Sequence, residues 1–307
     1  MKLTVLMTTY NETTEHLSRA VDSILDQTFR DFTFLIIVDN PDNKENISLI
    51  EEYSKKDSRI EFYVNEKNMG LPGSLNRGLS YIDSDYVARM DADDVAFTDR
   101  LEKELDYISN NDYDLIAANI CYIDENGRVI DDNNRKKISE TAVNRLIRYT
   151  DCMYHPTWMG KTELFKQLNG YRNISACEDY DFLLRAVFNE KKIGFLNETV
   201  LYYRINSKGI SRSNALRQTL TTDILSKNYK NICNLTEDHI RNKVESKLTP
   251  RKIIKYQSAV KMIPEAKLQK NLYKKLIIVL KSVTVSKYIL YNYRQILIKR
   301  WFINKYP

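Results

Sequence analysis

Cysteine is sparse in the 307-residue sequence, and the four that occur (Cys121, Cys152, Cys177 and Cys233) never form a C-x-x-C pair. That pattern argues against a structural zinc site or a disulfide framework and suits a reducing compartment. No G-x-G-x-x-G follows the first apolar strand and no G-x-x-x-x-G-K-[ST] occurs, which disfavours nicotinamide-dinucleotide and P-loop sites. No stretch approaches ~18 consecutive apolar residues, so no transmembrane helix is expected. The first residues read as a strand and not as a secretory leader. Internal repeats and low-complexity tracts are missing as well. All 8 glycines precede residue 210, so the C-terminal region has none.

What is present begins with a 43% hydrophobic content, enough to bury a substantial core. The length accommodates one large α/β domain with an appendage, or two small domains. The net charge of +6 conceals a division. Residues 241–307 hold 17 Lys and Arg against 2 Asp and Glu, whereas the other 240 residues hold 30 against 39. Such asymmetry points to two parts with different partners.

Lys2–Thr9 reads as a strand, followed by a turn and a helix whose apolar residues Leu17, Ala20, Val21, Ile24 and Leu25 recur at helical spacing, capped by Thr13 or Thr14. Thr33–Val38 is a continuous apolar strand of the kind buried on both faces of a parallel sheet. A helix at Lys44–Lys56, a strand at Ile60–Val64, a helix from Leu71 and a strand at Tyr86–Met90 continue a β-α alternation. That alternation predicts a parallel sheet with helices on both faces. A helix at Thr98–Ser109, capped by Thr98, a strand at Asp114–Tyr122 and a hairpin turn at Glu125–Arg128 follow. Met153–Gly160, Thr162–Leu168, Asp179–Asn189 and Thr199–Ile205 read as strand, helix, helix and strand. The expected division is a first domain at 1–213 and a basic, mainly helical region at 214–307, with breaks at Pro250 and Pro264.

In a doubly wound sheet, ligands occupy the crevice beyond the carboxyl ends of the strands. Thr8, Thr9, Tyr10 and Asn11 follow the first strand, Asp39 the second, and Asp91-Ala92-Asp93-Asp94 the fourth. In an extended chain, residues two apart share a face, so Asp91 and Asp93 project together. Clustered carboxylates repel unless a cation or donors compensate, and their oxygens suit Mg²⁺ or Mn²⁺ with substrate phosphates. The plain alternative is that Asp93 or Asp94 caps the next helix.

The ordered segments TTYNE (Thr8–Glu12), VDN (Val38–Asn40), NMGLPGSLNRGL (Asn68–Leu79), ARMDADD (Ala88–Asp94) and DRLEKEL (Asp99–Leu105) resemble inverting family-2 glycosyltransferases of the GT-A fold. HPTWMGKTELFKQLNGYR (His155–Arg172), CEDYDFLLRA (Cys177–Ala186) and LYYRINSKGISR (Leu201–Arg212) extend the resemblance across roughly residues 1–213. Bacterial enzymes of capsule, O-antigen and exopolysaccharide assembly are the look-alikes. The resemblance implies that Thr9, Tyr10, Asn11 and Asp39 hold the nucleotide base, with Asn68 and Asn76 nearby. It places Asp91 on the ribose and metal and Asp93 on the metal, Mn²⁺ or Mg²⁺. It makes Asp179 the general base for the acceptor hydroxyl, with Glu178 next. Acidic residues in a first helical turn also stabilise the dipole, a structural role that fits Asp181 and Glu178. His155 is either a structural hydrogen-bonder or a donor or acceptor contact, and Arg204 a partner for phosphate or Glu178. Asn206 stands where the family often carries a metal-binding His.

The implied partners are a UDP- or dTDP-sugar and a glycan or lipid-linked glycan acceptor. The alternatives are a nucleotide-sugar-forming nucleotidyltransferase, which would want a glycine-rich loop that TTYNE lacks, and a non-catalytic nucleotide- or glycan-binding module. The stretch Leu272–Pro307 interleaves Lys and Arg with Ile, Leu, Tyr, Trp301 and Phe302, as basic interfacial helices do. Each cation near anionic lipid contributes ~1 kcal/mol, so a cytoplasmic chain held on the inner face of the plasma membrane is expected. Packing on the first domain or in a homodimer is the alternative. No nucleic-acid recognition module appears.

Overall fold

The computed structural model describes residues 2–131, 137–205 and 214–306. Asn206 and the expected domain boundary at Ser213 lie outside the described residues. Strands β1 (Leu3–Thr9), β2 (Phe32–Val38), β3 (Ile60–Val64) and β4 (Tyr86–Asp91) pair in parallel in the order β3-β2-β1-β4. Beyond β4 the β-α alternation stops and the sheet is mixed. The short β8 (Met159–Lys161) runs antiparallel between β4 and β6 (Leu115–Ile123). Strand β6 lies parallel to β9 (Ile193–Arg204), and β5 (Val95–Ala96) and β7 (Val129–Asp131) pair antiparallel to β9 and β6. Two- and three-residue strands carry too few positions for a period to show.

Alternation along the strands sorts side chains into two layers. Leu3, Val5 and Met7 of β1 join Phe34, Ile36 and Val38 of β2 and Ala88 and Met90 of β4 on one face. Helices α1 (Thr14–Leu25), α2 (Lys44–Lys56) and α4 (Arg100–Asn110) cover it through Leu17, Ile24, Ile50, Leu101 and Leu105. Leu6, Leu35, Ile37 and Val87 face the other way. There α3 (Gly70–Leu79), α5 (Glu140–Leu146), α6 (Thr162–Gln167) and α7 (Glu178–Phe188) pack. At Gly78 a Cβ would lie 2.4 Å from Leu6 Cδ1, so a larger residue there would force Leu6 to shift where α3 seats against β1.

The first helix is capped by Thr13, whose hydroxyl accepts from His16 N at 3.2 Å. Helix α4 starts at Arg100 after Asp99 and not at Thr98, whose carbonyl instead accepts from Thr28 N. His155–Thr157 is a 3₁₀ turn and not strand, because Pro156 cannot donate to a ladder. Strand β9 begins six residues before the expected Thr199. A bulge opposite Ala118–Asn119 carries it past the polar Asn197-Glu198, and Asn197 clamps the Ile138 backbone there.

The C-terminal region folds as α8 (Ala215–Lys227), α9 (Glu237–Glu245), α10 (Pro250–Val260), α11 (Met262–Leu268), α12 (Leu272–Val285) and α13 (Ile289–Lys305). Pro250 opens α10 at a position that needs no N–H. Leu220, Leu225, Tyr256, Ile289 and Phe302 join the core of the second layer, so the region packs on the first domain. Its outer side stays apolar: Leu272, Tyr273, Leu276, Ile277 and Leu280 form one exposed stripe on α12, with Leu272 at 82% and Leu276 at 55% exposure. Among the described residues no helix is long and apolar enough to cross a membrane.

Candidate active site

The parallel register sets the ends of β1, β2 and β4 side by side. Thr8 lies opposite Asp91, Thr9 lies opposite Val38, and Asp39 N donates to Thr9 O at 2.8 Å. Asp39 is buried, and its Oδ1 accepts from Asn65 Nδ2 at 2.6 Å and Met69 N at 2.7 Å. Those two bonds fix the orientation of the carboxylate. Thr9 donates to Glu12 Oε2 at 2.6 Å, which also accepts from Tyr10 N at 2.7 Å. Asn40 Nδ2 donates to Asn11 Oδ1 at 2.6 Å, tying the first two loops together. Tyr10 and Asn68 are exposed at the rim, and Asn68 Oδ1 accepts from Gly70 N at 2.8 Å where α3 begins.

The carboxylates of Asp91, Asp93 and Asp94 gather within 4.8 Å of one another. Asp94 is buried, and burial, Asp93 and Asp91 hold its pKa well above the usual carboxylate range. Its Oδ1 accepts from Arg204 N at 2.8 Å, while Oδ2 is buried without a partner. Asp94 therefore faces the cluster and caps no helix. Burial, Asp91 and Glu12 push Asp93 up to about 7. An unpartnered buried oxygen beside two neighbouring carboxylates is a donor set short of positive charge, and it fits a hard divalent cation.

Arg89 links this cluster to the opposite wall. It is buried in β4, pairs with Asp91, and acts electrostatically on Glu178 and Asp179. Its Nε and Nη1 have no hydrogen-bond partner. The sequence reading missed Arg89, although a cation inside an otherwise buried strand demands anionic company. It also missed Asn65, which orients Asp39, and Glu12, which faces Asp93.

Across the cleft, Ala176 takes φ +62°, a strained value for a residue with a Cβ, and α7 begins two residues later. Glu178 is buried, and burial with Asp179 pushes it up to about 8. Asp179 remains partly exposed, its Oδ1 accepts from Tyr180 N at 2.7 Å, and burial raises its pKa. Asp181 serves packing: it pairs with Arg172 and, at 2.9 Å, with Arg185.

Three expected site residues are placed in supporting positions. Asn76 holds the Tyr171 backbone at both ends of its amide, at 2.7 and 2.8 Å, and does not reach the acidic cluster. A Cβ on Gly170, which has φ +64°, would meet Asn76 Oδ1 at 2.2 Å, so this clamp explains the glycine. His155 is buried against Trp158 and bonds Tyr171 Oη at 2.9 Å, and burial with Arg89 pushes its pKa well down. Arg204 does not pair with Glu178. Its guanidinium binds the carbonyls of Asp93, Asp124 and Glu125 at 2.7, 3.0 and 3.1 Å, bracing the Asp93 loop.

The chain belongs to glycosyl transferase family 2, whose model matches residues 4–168. It is 35% identical over 237 residues to an uncharacterized glycosyltransferase of Methanocaldococcus jannaschii, covering 76% of this chain and 82% of that one. It is 32% identical over 201 residues to the O-antigen biosynthesis glycosyltransferase WbnJ of Escherichia coli, covering 65% and 78%. Residues 1–349 of S. aureus TarS in complex with UDP-GlcNAc share the fold with a TM-score of 0.60 at 18% identity, over 95% of this chain and 81% of that one. The mannosyltransferase PcManGT of Pyrobaculum calidifontis, in complex with GDP-Man and Mn²⁺, gives 0.58 at 12%, over 98% and 84%. The protein is therefore a glycosyltransferase of GT-A fold, and the nucleotidyltransferase alternative is set aside.

Proposed function

We propose that the enzyme transfers a hexose-type sugar from a UDP- or dTDP-sugar to a hydroxyl of a surface glycan, with inversion at the anomeric carbon. The observation that carries the reading is the facing of two acidic walls across Arg89: Asp91, Asp93 and Asp94 on one side, Asp179 on the other. Asp39 offers a carboxylate edge to the imide N–H shared by uracil and thymine, and Thr9, Tyr10, Asn11 and Asn68 surround it. Asp93, with Asp91 and Asp94, would hold Mn²⁺ or Mg²⁺; when bound, such an ion supplies positive charge against the pyrophosphate. Asp179 takes the acceptor hydroxyl's proton as oxygen attacks carbon, because a neutral hydroxyl is a weak nucleophile. One displacement, in which the acceptor oxygen bonds to the anomeric carbon as the nucleoside diphosphate leaves, inverts the centre. The raised pKa of Asp179 makes it a stronger proton acceptor than an ordinary aspartate, and its partial exposure makes it the reachable member of the pair. The test is a donor screen that scores nucleoside diphosphate release across nucleotide sugars, with and without chelator. Activity confined to UDP- or dTDP-sugars and removed by chelator is expected, and a preference for GDP-sugars would refute the donor assignment.

The acceptor is a lipid-linked glycan at an anionic membrane face. The apolar stripe on α12 is flanked by Lys274, Lys275 and Lys281, and residues 266–307 contain no Asp or Glu. On α13, Leu290, Leu297 and Trp301 are exposed beside Arg294 and Arg300. Apolar stripes framed by cations suit the interface of an anionic bilayer.

A further inference from the structure

A cavity of about 280 Å³ opens where the C-terminal helices meet the first domain. Asp151 lines it from the segment after α5, Gln218 and Thr222 from α8, Tyr256 from α10, and Tyr291 and Asn292 from α13. It belongs to neither the donor cleft nor the exposed stripe of α12. Its position relative to the chemistry is set by Cys177, the residue before the Glu178–Asp179 pair. The Cys177 thiol contacts Gln218 O at 3.6 Å and Thr222 Oγ1 at 3.4 Å, so α8 stands directly behind the start of α7. We infer that this cavity is an acceptor subsite, which binds a neutral sugar ring of the acceptor next to Asp179 and is completed by the C-terminal helices.

The lining chemistry identifies the ligand class. Asp151 Oδ1 is held by Met153 N at 3.0 Å, which leaves its second oxygen for the cavity. Asp151 lies close enough to Asp179 and Glu178 that their charges add to burial in raising its pKa. Among the described residues no Lys or Arg lines the cavity, and Lys299 acts on Asp151 from outside the lining. An anionic ligand would meet Asp151 with no cation in the lining beside it, whereas hydroxyl groups hydrogen-bond to it. Tyr256 Oη is bound to Thr219 Oγ1 at 2.5 Å and Asn292 Nδ2 at 2.8 Å, so its ring is held in place as part of the wall. Tyr180 carries a buried hydroxyl without a hydrogen-bond partner, close to Tyr291 and Asp151. The held Tyr256 ring, the Asp151 carboxyl and the Gln218 and Asn292 amides make a polyhydroxylated, uncharged ligand the best match. The volume falls just under the ~300–1,000 Å³ of sites that enclose drug-sized ligands, which suits one ring with the rest of the acceptor outside.

The inference rests on the reading of Asp179 as the base, and its test separates the two. Saturation-transfer NMR is recorded on the full chain with UDP and the methyl glycosides of glucose, galactose, mannose and N-acetylglucosamine, in both anomers. At least one glycoside should bind. D151N and Q218A should each weaken it about twofold to tenfold, as loss of a hydrogen bond does. Calorimetry with UDP should give the same affinity for all three chains. Both substitutions leave the core untouched, and D151N keeps an acceptor for Met153 N. A wild type that binds UDP but no glycoside, or binds one equally in both variants, overturns the subsite and leaves the donor reading standing. Failure to bind UDP overturns the donor reading, and turnover of D179N near the wild-type rate overturns the base reading beneath the subsite.

Discussion

Replacing Asp179 with asparagine separates chemistry from folding in one variant. The amide preserves shape and keeps an oxygen for Tyr180 N, which the carboxylate now binds at 2.7 Å. What it loses is the ability to accept a proton. Removing a general base lowers turnover by ~10²–10⁴-fold, or about 2.7–5.4 kcal/mol of barrier. The same residue should act oppositely on stability. Burial raises its pKa in the folded chain, above the ~3.9 of an unfolded aspartate. Its contribution is therefore complete below that unfolded value and lost as pH rises through the folded one. At pH 8 the wild type holds a carboxylate in a recessed site beside Glu178, and D179N removes that charge. The variant's Tm should then equal or exceed the wild type's at pH 8, and the two should converge near pH 4, about the unfolded value. Wild-type kcat should carry an acid limb above the ordinary carboxylate range, because the base works only when deprotonated. The assays are nucleoside diphosphate release against pH, calorimetric UDP affinity, and melting at the two pH values. UDP should bind D179N about as tightly as wild type. A D179N enzyme within tenfold of wild type, with E178Q losing a hundredfold, would move the base to Glu178.

D93N should abolish most turnover while melting normally, and Mn²⁺ or Mg²⁺ should restore wild type after chelation; full activity in excess chelator would remove the cation from the mechanism. D39N should weaken UDP binding by about tenfold, the loss of a charge-assisted hydrogen bond, and GDP binding unaffected by position 39 but tighter than UDP would reassign the donor. Because Tyr256, Ile289 and Phe302 are core residues, the membrane face is best tested without truncation. L272E/L276E should abolish co-sedimentation with anionic vesicles and leave Tm unchanged, whereas equal pelleting of both chains would assign the stripe to protein contacts. Arg100 is buried, donates to Glu104 Oε2 at 3.1 Å and to Arg89 O at 2.7 Å, so E104A should destabilise by ~3–5 kcal/mol through an unpaired buried cation. Chemical denaturation showing under 1 kcal/mol would refute that account.

Sequence alone determined the elements whose pattern is long and local. The apolar run of β2, the stripe of α1 and the spacing of α2 are each decided by contacts within one segment, so period and caps reveal them. The ordered motifs likewise carried the family, and the strand ends that bring Asp39 and Asp91 to one edge converge by topology in a wound sheet. Only tertiary structure decided how the second half of the sheet runs, because β5 and β8 are too short to carry a period and pair with strands distant in sequence. It alone assigned Asn76 to the Tyr171 backbone and Arg204 to three carbonyls, since a polar side chain's partner is a matter of distance across the fold. The position of Arg89 between the two acidic walls has the same origin. One strand side chain pairs with Asp91 on its own strand and acts electrostatically on the start of α7, nearly ninety residues on, and no window of sequence contains both.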